Sequence, residues 1–112
     1  IEAACQGRPL VVHDDGHQQR CFAHVQDVVD AVVKLMNFPA AFGRVYNIGS
    51  DQPVSILELA ERVRKIVNPK AEIVFQSYTE AYDSDFEDIR RRVPDLSRIR
   101  QTIDYRPQRT LD

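Results

Sequence analysis

In the stretch SILELAERVRKIV, Ile56, Leu59, Ala60, Val63, Ile66 and Val67 recur at three- and four-residue steps. That period predicts an amphipathic helix. Ser55 and Glu58 stand three apart at its start, a spacing that lets each side chain meet a backbone N–H of the other. Asn68-Pro69 ends it, because proline has no N–H to give and crowds the preceding turn. A second stripe, Val25, Val28, Val29, Val32, Val33 and Met36, predicts a helix over VQDVVDAVVKLM with an apolar face. Leu96, Ile99 and Ile103 predict a last helix in DLSRIRQTIDY, with Asp95 as N-cap and Arg106-Pro107 as its end. Ile1, Ala4 and Cys5 predict a short, uncapped helix closed by Gly7.

The remaining apolar runs are too short for helices. PLVVHDDGHQQRCFAHV reads as two extended runs joined at Asp14-Asp15-Gly16, an extended hairpin. RVYNIG and AEIVFQS predict further strands, and NFPAAFG a loop between elements. The order is helix, hairpin, helix, strand, helix, strand, helix, which predicts an α/β fold. RTLD at the far end resembles the start of another element. The expectation is therefore one domain-sized piece, residues 1–112, of a longer protein. No internal repeat, low-complexity segment or linker interrupts it.

Composition narrows the function more than the fold. The chain has 112 residues, 43% hydrophobic and 29% charged, with formal net charge -2. A general nucleic-acid binder is usually basic, so that class is disfavoured. No apolar run approaches the roughly 18 residues of a membrane span, and no signal pattern opens the chain. The two cysteines, Cys5 and Cys21, form no CxxC, and reduced thiols in a cytoplasmic protein are expected.

Charge is uneven along the chain. Thr79 to Asp88 holds five acids and no base, whereas Arg90 to Arg109 holds seven arginines and two aspartates. The two runs can pair with each other on a surface, or some arginines can clamp an anion. In an extended segment Arg90 and Arg92 share a face opposite Arg91. One face of RRRVPD can then serve a ligand while the rest pairs with Asp83, Asp85, Glu87 or Asp88, or meets water.

Catalytic machinery is not visible. Gly7, Gly16, Gly43 and Gly49 cannot form GxGxxG or a P-loop. None of Lys34, Lys65 and Lys70 lies four residues after a tyrosine, and no GxSxG or zinc signature occurs. His13, Asp14, Asp15 and His17 fall within five residues. Their spacing is not that of a recognised metal site, and Asp-Asp-Gly is ordinary turn chemistry. His24 reads as a residue at a helix start rather than a catalyst.

Four motifs in order carry a resemblance: GRPLVVHDDGHQQRCF, HVQDVVDAV, YNIGSDQPVSILELA and FEDIRRRVPDLSRIRQTIDYRP. Together they resemble the C-terminal part of the NAD-dependent epimerase/dehydratase family, extended short-chain dehydrogenases acting on nucleotide sugars. The resemblance spans essentially the whole chain. It implies a Rossmann-like α/β fold whose N-terminal half, with the glycine-rich NAD loop and the Tyr/Lys pair, lies upstream of Ile1. It implies a complete enzyme that moves hydride from the sugar C4 to NAD and back.

This chain's implied share is UDP-sugar binding. Arg20 resembles the family arginine that contacts the diphosphate, and Arg92 the arginine on the opposite wall of that site. Val11 and His13 fall in the segment bordering the nucleobase, where His13 replaces a frequent aromatic and Asp14 the following glycine. Asn47 and Gly49 correspond to the sheet end near the cofactor. A UDP-sugar 4-epimerase such as UDP-glucose 4-epimerase is the first expectation. The alternatives are a UDP-glucuronate decarboxylase or sugar-nucleotide dehydratase, or a non-catalytic binding or assembly module. The expected partners are a UDP-sugar, the N-terminal NAD-binding part and a second copy of the chain, with no nucleic acid and no membrane. Alone, the chain is expected to bind NAD weakly and to turn nothing over.

Overall fold

The computed structural model describes residues 1–77 and 89–111. The chain forms two compact units, Ile1–Arg20 with Val54–Arg91, and Cys21–Pro53 with Arg92–Asp112.

The first unit begins with helix α1 (Glu2–Cys5), followed by strand β1 (Leu10–His13). Strand β2 (Gln19–Cys21) and strand β3 (Pro53–Ser55) pair in a two-stranded sheet. Helix α2 spans Val25–Met36, and helix α3 spans Ile56–Val67. Strand β4 (Ile73–Gln76) pairs in parallel with β1, in register Leu10 to Ile73 through His13 to Gln76. The α3 helix packs on β1 and α1. Leu10 and Val12 point to the core with Ala4, Val54 and Ala71. The strand alternates, so Val11 and His13 lie on its other face.

The hairpin expectation needs correction. The turn at 14–16 forms, but β1 and β2 pair with β4 and β3 rather than with each other. A polar turn between two apolar runs shows where the chain bends, not which edges meet. β3 itself was not anticipated, since three residues leave no period to read.

The start of α3 follows its sequence signal. Ser55 Oγ accepts from the Glu58 N–H at 3.1 Å. Two more N–H groups of the first turn are met from outside: Ile56 donates to Gln18 O at 3.1 Å and Leu57 to Gly16 O at 2.9 Å. Gly16 is thereby pressed under the helix. Its φ is +72°, and a Cβ there would stand 2.7 Å from Val12 Cγ1 and 3.0 Å from Leu57 Cβ. Gly16→Ala is expected to cost about 1–3 kcal/mol by strain and overpacking. A urea midpoint unchanged by the substitution would contradict this packing.

The second unit holds α2, a 3-10 turn at Pro39–Ala41, an extended segment and helix α4 (Ser97–Ile103). Leu96, Ile99, Ala31 and Tyr105 form its core, with Leu35, Tyr46, Ile48 and Ile103 packed against them. The N-cap of α4 is Leu96 rather than the expected Asp95; from one position earlier the Asp95 carboxylate still accepts from the Ser97 N–H at 2.8 Å. Asp104, at φ +49°, ends that helix in the left-handed region.

The valine stripe of α2 is not the buried face. Asp27 and Ala31 are the helix's buried residues, and Leu35 packs beside them. Val25, Val29, Val32, Val33 and Met36 are 40–70% exposed. The period correctly shows an apolar face, but small Ala31 is what permits close approach to the core. The expected strand RVYNIG is also corrected. Residues 44–49 join no ladder among the described residues, although Tyr46 and Ile48 pack inward and Val45 and Asn47 are exposed. That alternation belongs to a strand, but among the described residues side chains rather than a second strand meet its carbonyls: Arg98 donates to Val45 O and Tyr105 to Gly49 O. No element is formed by 106–111.

Candidate functional site

In the first unit, chemistry-bearing residues gather around the turn after β1. Asp14 has φ +55°. The short polar side chain tolerates this left-handed conformation, so the departure from glycine leaves the turn intact. Asp15 accepts from the His17 N–H at 2.8 Å, which closes the turn locally.

Arg90 reaches this turn from the far end of the sequence. Its Nη1 donates to both Asp15 carboxylate oxygens, at 2.7 and 2.8 Å, and its Nη2 lies 3.3 Å from Asp14 Oδ2. The acids expected to pair with it, Asp83, Asp85, Glu87 and Asp88, lie outside the described residues. The His17 N–H, then the Arg90 guanidinium, hold the Asp15 carboxyl below its ordinary value. A depressed carboxylate contributes its stability above the ordinary unfolded value and loses it as pH falls through the folded one. The contact is therefore complete at neutral pH.

Arg20 lies on β2, half-buried. Its Nη1 donates to Gln19 O at 2.8 Å and to Ile89 O at 2.7 Å. The Gln19 N–H donates in turn to Arg90 O at 2.7 Å, and Gln19 bridges Arg91 in parallel. The segment 89–91 is thus fixed to β2 through its backbone. Val11 is exposed and His13 half-buried on their shared face of β1. Among the described residues no group of three or more His, Cys, Asp or Glu is placed to hold a metal ion.

The second unit holds Arg92, Asn47 and Gly49. Arg92 is exposed. Asn47 Nδ2 donates to Asp95 O at 3.1 Å, and the Tyr105 hydroxyl donates to Gly49 O at 2.9 Å. Burial, with Asp27 near, pushes the Tyr105 phenol up, so the hydroxyl remains a donor. Asp27 itself accepts from the Gln108 and Arg109 N–H groups, at 3.1 and 3.0 Å, and from the Arg109 guanidinium. Burial raises this carboxyl, but those donors outweigh it and hold it below the usual range. Sequence reading missed this buried carboxylate because it sits among valines, although Asp27, Ala31 and Leu35 share one helical face at four-residue steps. His24 is the N-cap of α2, its Nδ1 accepting from the Gln26 N–H at 3.1 Å.

NAD finds no cradle among these residues. A dinucleotide loop needs glycines between a strand and the helix it opens. Gly7, Gly16 and Gly43 lie in turns, Gly49 precedes β3, and none directly opens a helix. No step of cofactor chemistry is assigned to this chain. Among the described residues, no helix is long and apolar enough to cross a membrane.

Comparison with known proteins supports a common origin. The profile of the NAD dependent epimerase/dehydratase family matches residues 1–49. A UDP-N-acetyl-alpha-D-glucosaminuronate decarboxylase of Bacillus cytotoxicus is 35% identical over 96% of the chain and 33% of its own length. UDP-glucuronic acid decarboxylase 3 of Arabidopsis thaliana is 33% identical over 96% of the chain and 29% of its length. Among solved structures, the epimerase Mth375 of Methanothermobacter thermautotrophicus superposes with a TM-score of 0.87 at 23% identity, over 98% of this chain and 31% of that one. UDP-glucuronic acid 4-epimerase of Bacillus cereus, solved with NAD, gives 0.80 at 23% identity, over 98% and 33%. The chain spans about a third of the length of these relatives. Its first 49 residues match that family's profile, and the chain carries part of the Rossmann-like α/β fold seen in these structures.

Proposed function

We propose that the chain is the C-terminal, nucleotide-sugar-binding part of an NAD-dependent enzyme that decarboxylates a UDP-sugar acid. The observation that carries this reading is the agreement with UDP-sugar-acid decarboxylases, at 30–35% identity over 92% or more of the chain. Epimerase was the first expectation and remains the second reading, favoured by structural neighbours at 22–23% identity. The two differ in the fate of the sugar: loss of C6 as carbon dioxide, or inversion of a ring carbon.

The residues of this chain bind and orient. A diphosphate is met well by a planar guanidinium that holds two oxygens at once. Arg20 takes this role in the first unit, and Arg92 is a second diphosphate contact. Val11 and His13 border the base, while Asn47 and Gly49 lie toward the cofactor. Holding the sugar in place contributes proximity rather than bond-making.

Titration of UDP into the complete protein tests the arginines. Arg92→Ala is expected to weaken binding roughly tenfold or more, and Arg91→Ala less than about fivefold, as for an exposed charge. The opposite ranking would refute the assignment within RRRVPD.

A second expectation concerns the chain alone. Its exposed valine face and the ladderless segment 44–49 are surfaces suited to association. The isolated 112 residues are expected to form dimers or larger species. Light scattering that finds only monomer at high concentration would count against it.

A further inference from the structure

Arg90 is the most heavily engaged of the three adjacent arginines, and neither redox chemistry nor the proposed ligand contacts account for it. Its guanidinium spans two carboxylates: Nη1 donates to both oxygens of Asp15, and Nη2 lies 3.3 Å from Asp14 Oδ2. Its carbonyl accepts from Gln19, the residue before Arg20, and the carbonyl preceding it in the chain, Ile89 O, accepts from Arg20 itself. One short segment is therefore anchored at its side chain to the β1 turn and at its backbone to β2.

The geometry of Arg20 makes that anchoring consequential. Both N–H groups of its Nη1 point at carbonyls, Gln19 O from its own strand and Ile89 O from the anchored segment. The first moves with Arg20. The second is held from outside, so its hold on the guanidinium depends on residue 90 staying in place.

We propose that Arg90 is a positioning residue: clamped on Asp14 and Asp15, it holds the Ile89 carbonyl that orients Arg20 for the diphosphate of a nucleotide. This rests on the reading of Arg20 as a diphosphate contact. Arg90 touches no ligand in this account. One guanidinium shared between two carboxylates is a small charge network, a setting in which a surface ion pair has measurable weight. A lysine keeps the charge but not two nitrogens set to face both carboxylates, so it holds the segment less firmly.

The test uses the complete protein, with UDP and uridine as probes. Arg90→Gln is expected to raise the UDP dissociation constant about fivefold, the scale of one well-formed surface pair, and to leave that for uridine within about twofold. Arg90→Lys falls between Arg90→Gln and the unmodified protein. An unchanged UDP constant in Arg90→Gln overturns the proposal. An equal loss for UDP and uridine also overturns it, because that marks general loosening of the fold rather than orientation of a phosphate ligand. Arg20→Ala is measured alongside. If it leaves UDP binding unchanged, the underlying reading of Arg20 fails; if it weakens UDP while Arg90→Gln does not, only the positioning role fails.

Discussion

Replacing Arg20 with alanine in the complete protein is expected to weaken UDP binding by roughly tenfold to a hundredfold. A charge-assisted bidentate contact is about twice as strong as a neutral one, and its loss leaves phosphate oxygens without a partner. The side chain is half-buried on a strand rather than free on a loop, and two carbonyls fix one end of its guanidinium. Little ordering is left for the ligand to impose. Calorimetric titration of UDP reads the effect directly, and an unchanged dissociation constant would remove Arg20 from the site. Circular dichroism of the variant separates lost binding from lost fold.

The second large effect is on stability. Ile99 is 1% exposed at the centre of the second unit, against Ala31, Leu96 and Tyr105. Ile99→Ala is expected to cost about 2–5 kcal/mol, and Ile99→Val about 0.5–1.5 kcal/mol. The steep difference arises because the neighbours close only partly over a larger void. Urea unfolding of the complete protein measures both. Equal midpoints for the alanine and valine variants would show that Ile99 is not part of a close-packed core.

Legibility followed the range of the interaction. Helix α3 was readable with its Ser55 cap and Asn68 end because cap, period and stop all lie within one local segment. So was the inward set Leu96, Ile99 and Ile103 of α4. Strand pairing was not, because β1 finds its partner some sixty positions later, at Ile73–Gln76. The α2 stripe misled for a related reason. Periodicity identifies a face that avoids water, but the partner decides which face is covered, and here Ala31 and the well-satisfied Asp27 are buried instead.

The candidate site divides in the same way. Arg20, Val11 and His13 came from motifs whose residues are close in sequence. The Arg90 contact with Asp14 and Asp15 crosses 75 positions, and no local pattern announces it. The left-handed Asp14 was legible only as a departure from glycine. That the turn forms with Asp14 at φ +55° follows from the tolerance of aspartate for that conformation.

Mass analysis of the product tests the central claim most directly. The complete protein, given UDP-glucuronate and NAD, is expected to yield a UDP-pentose with release of carbon dioxide. A UDP-sugar of unchanged mass and altered ring stereochemistry would contradict decarboxylation and establish the epimerase reading in its place.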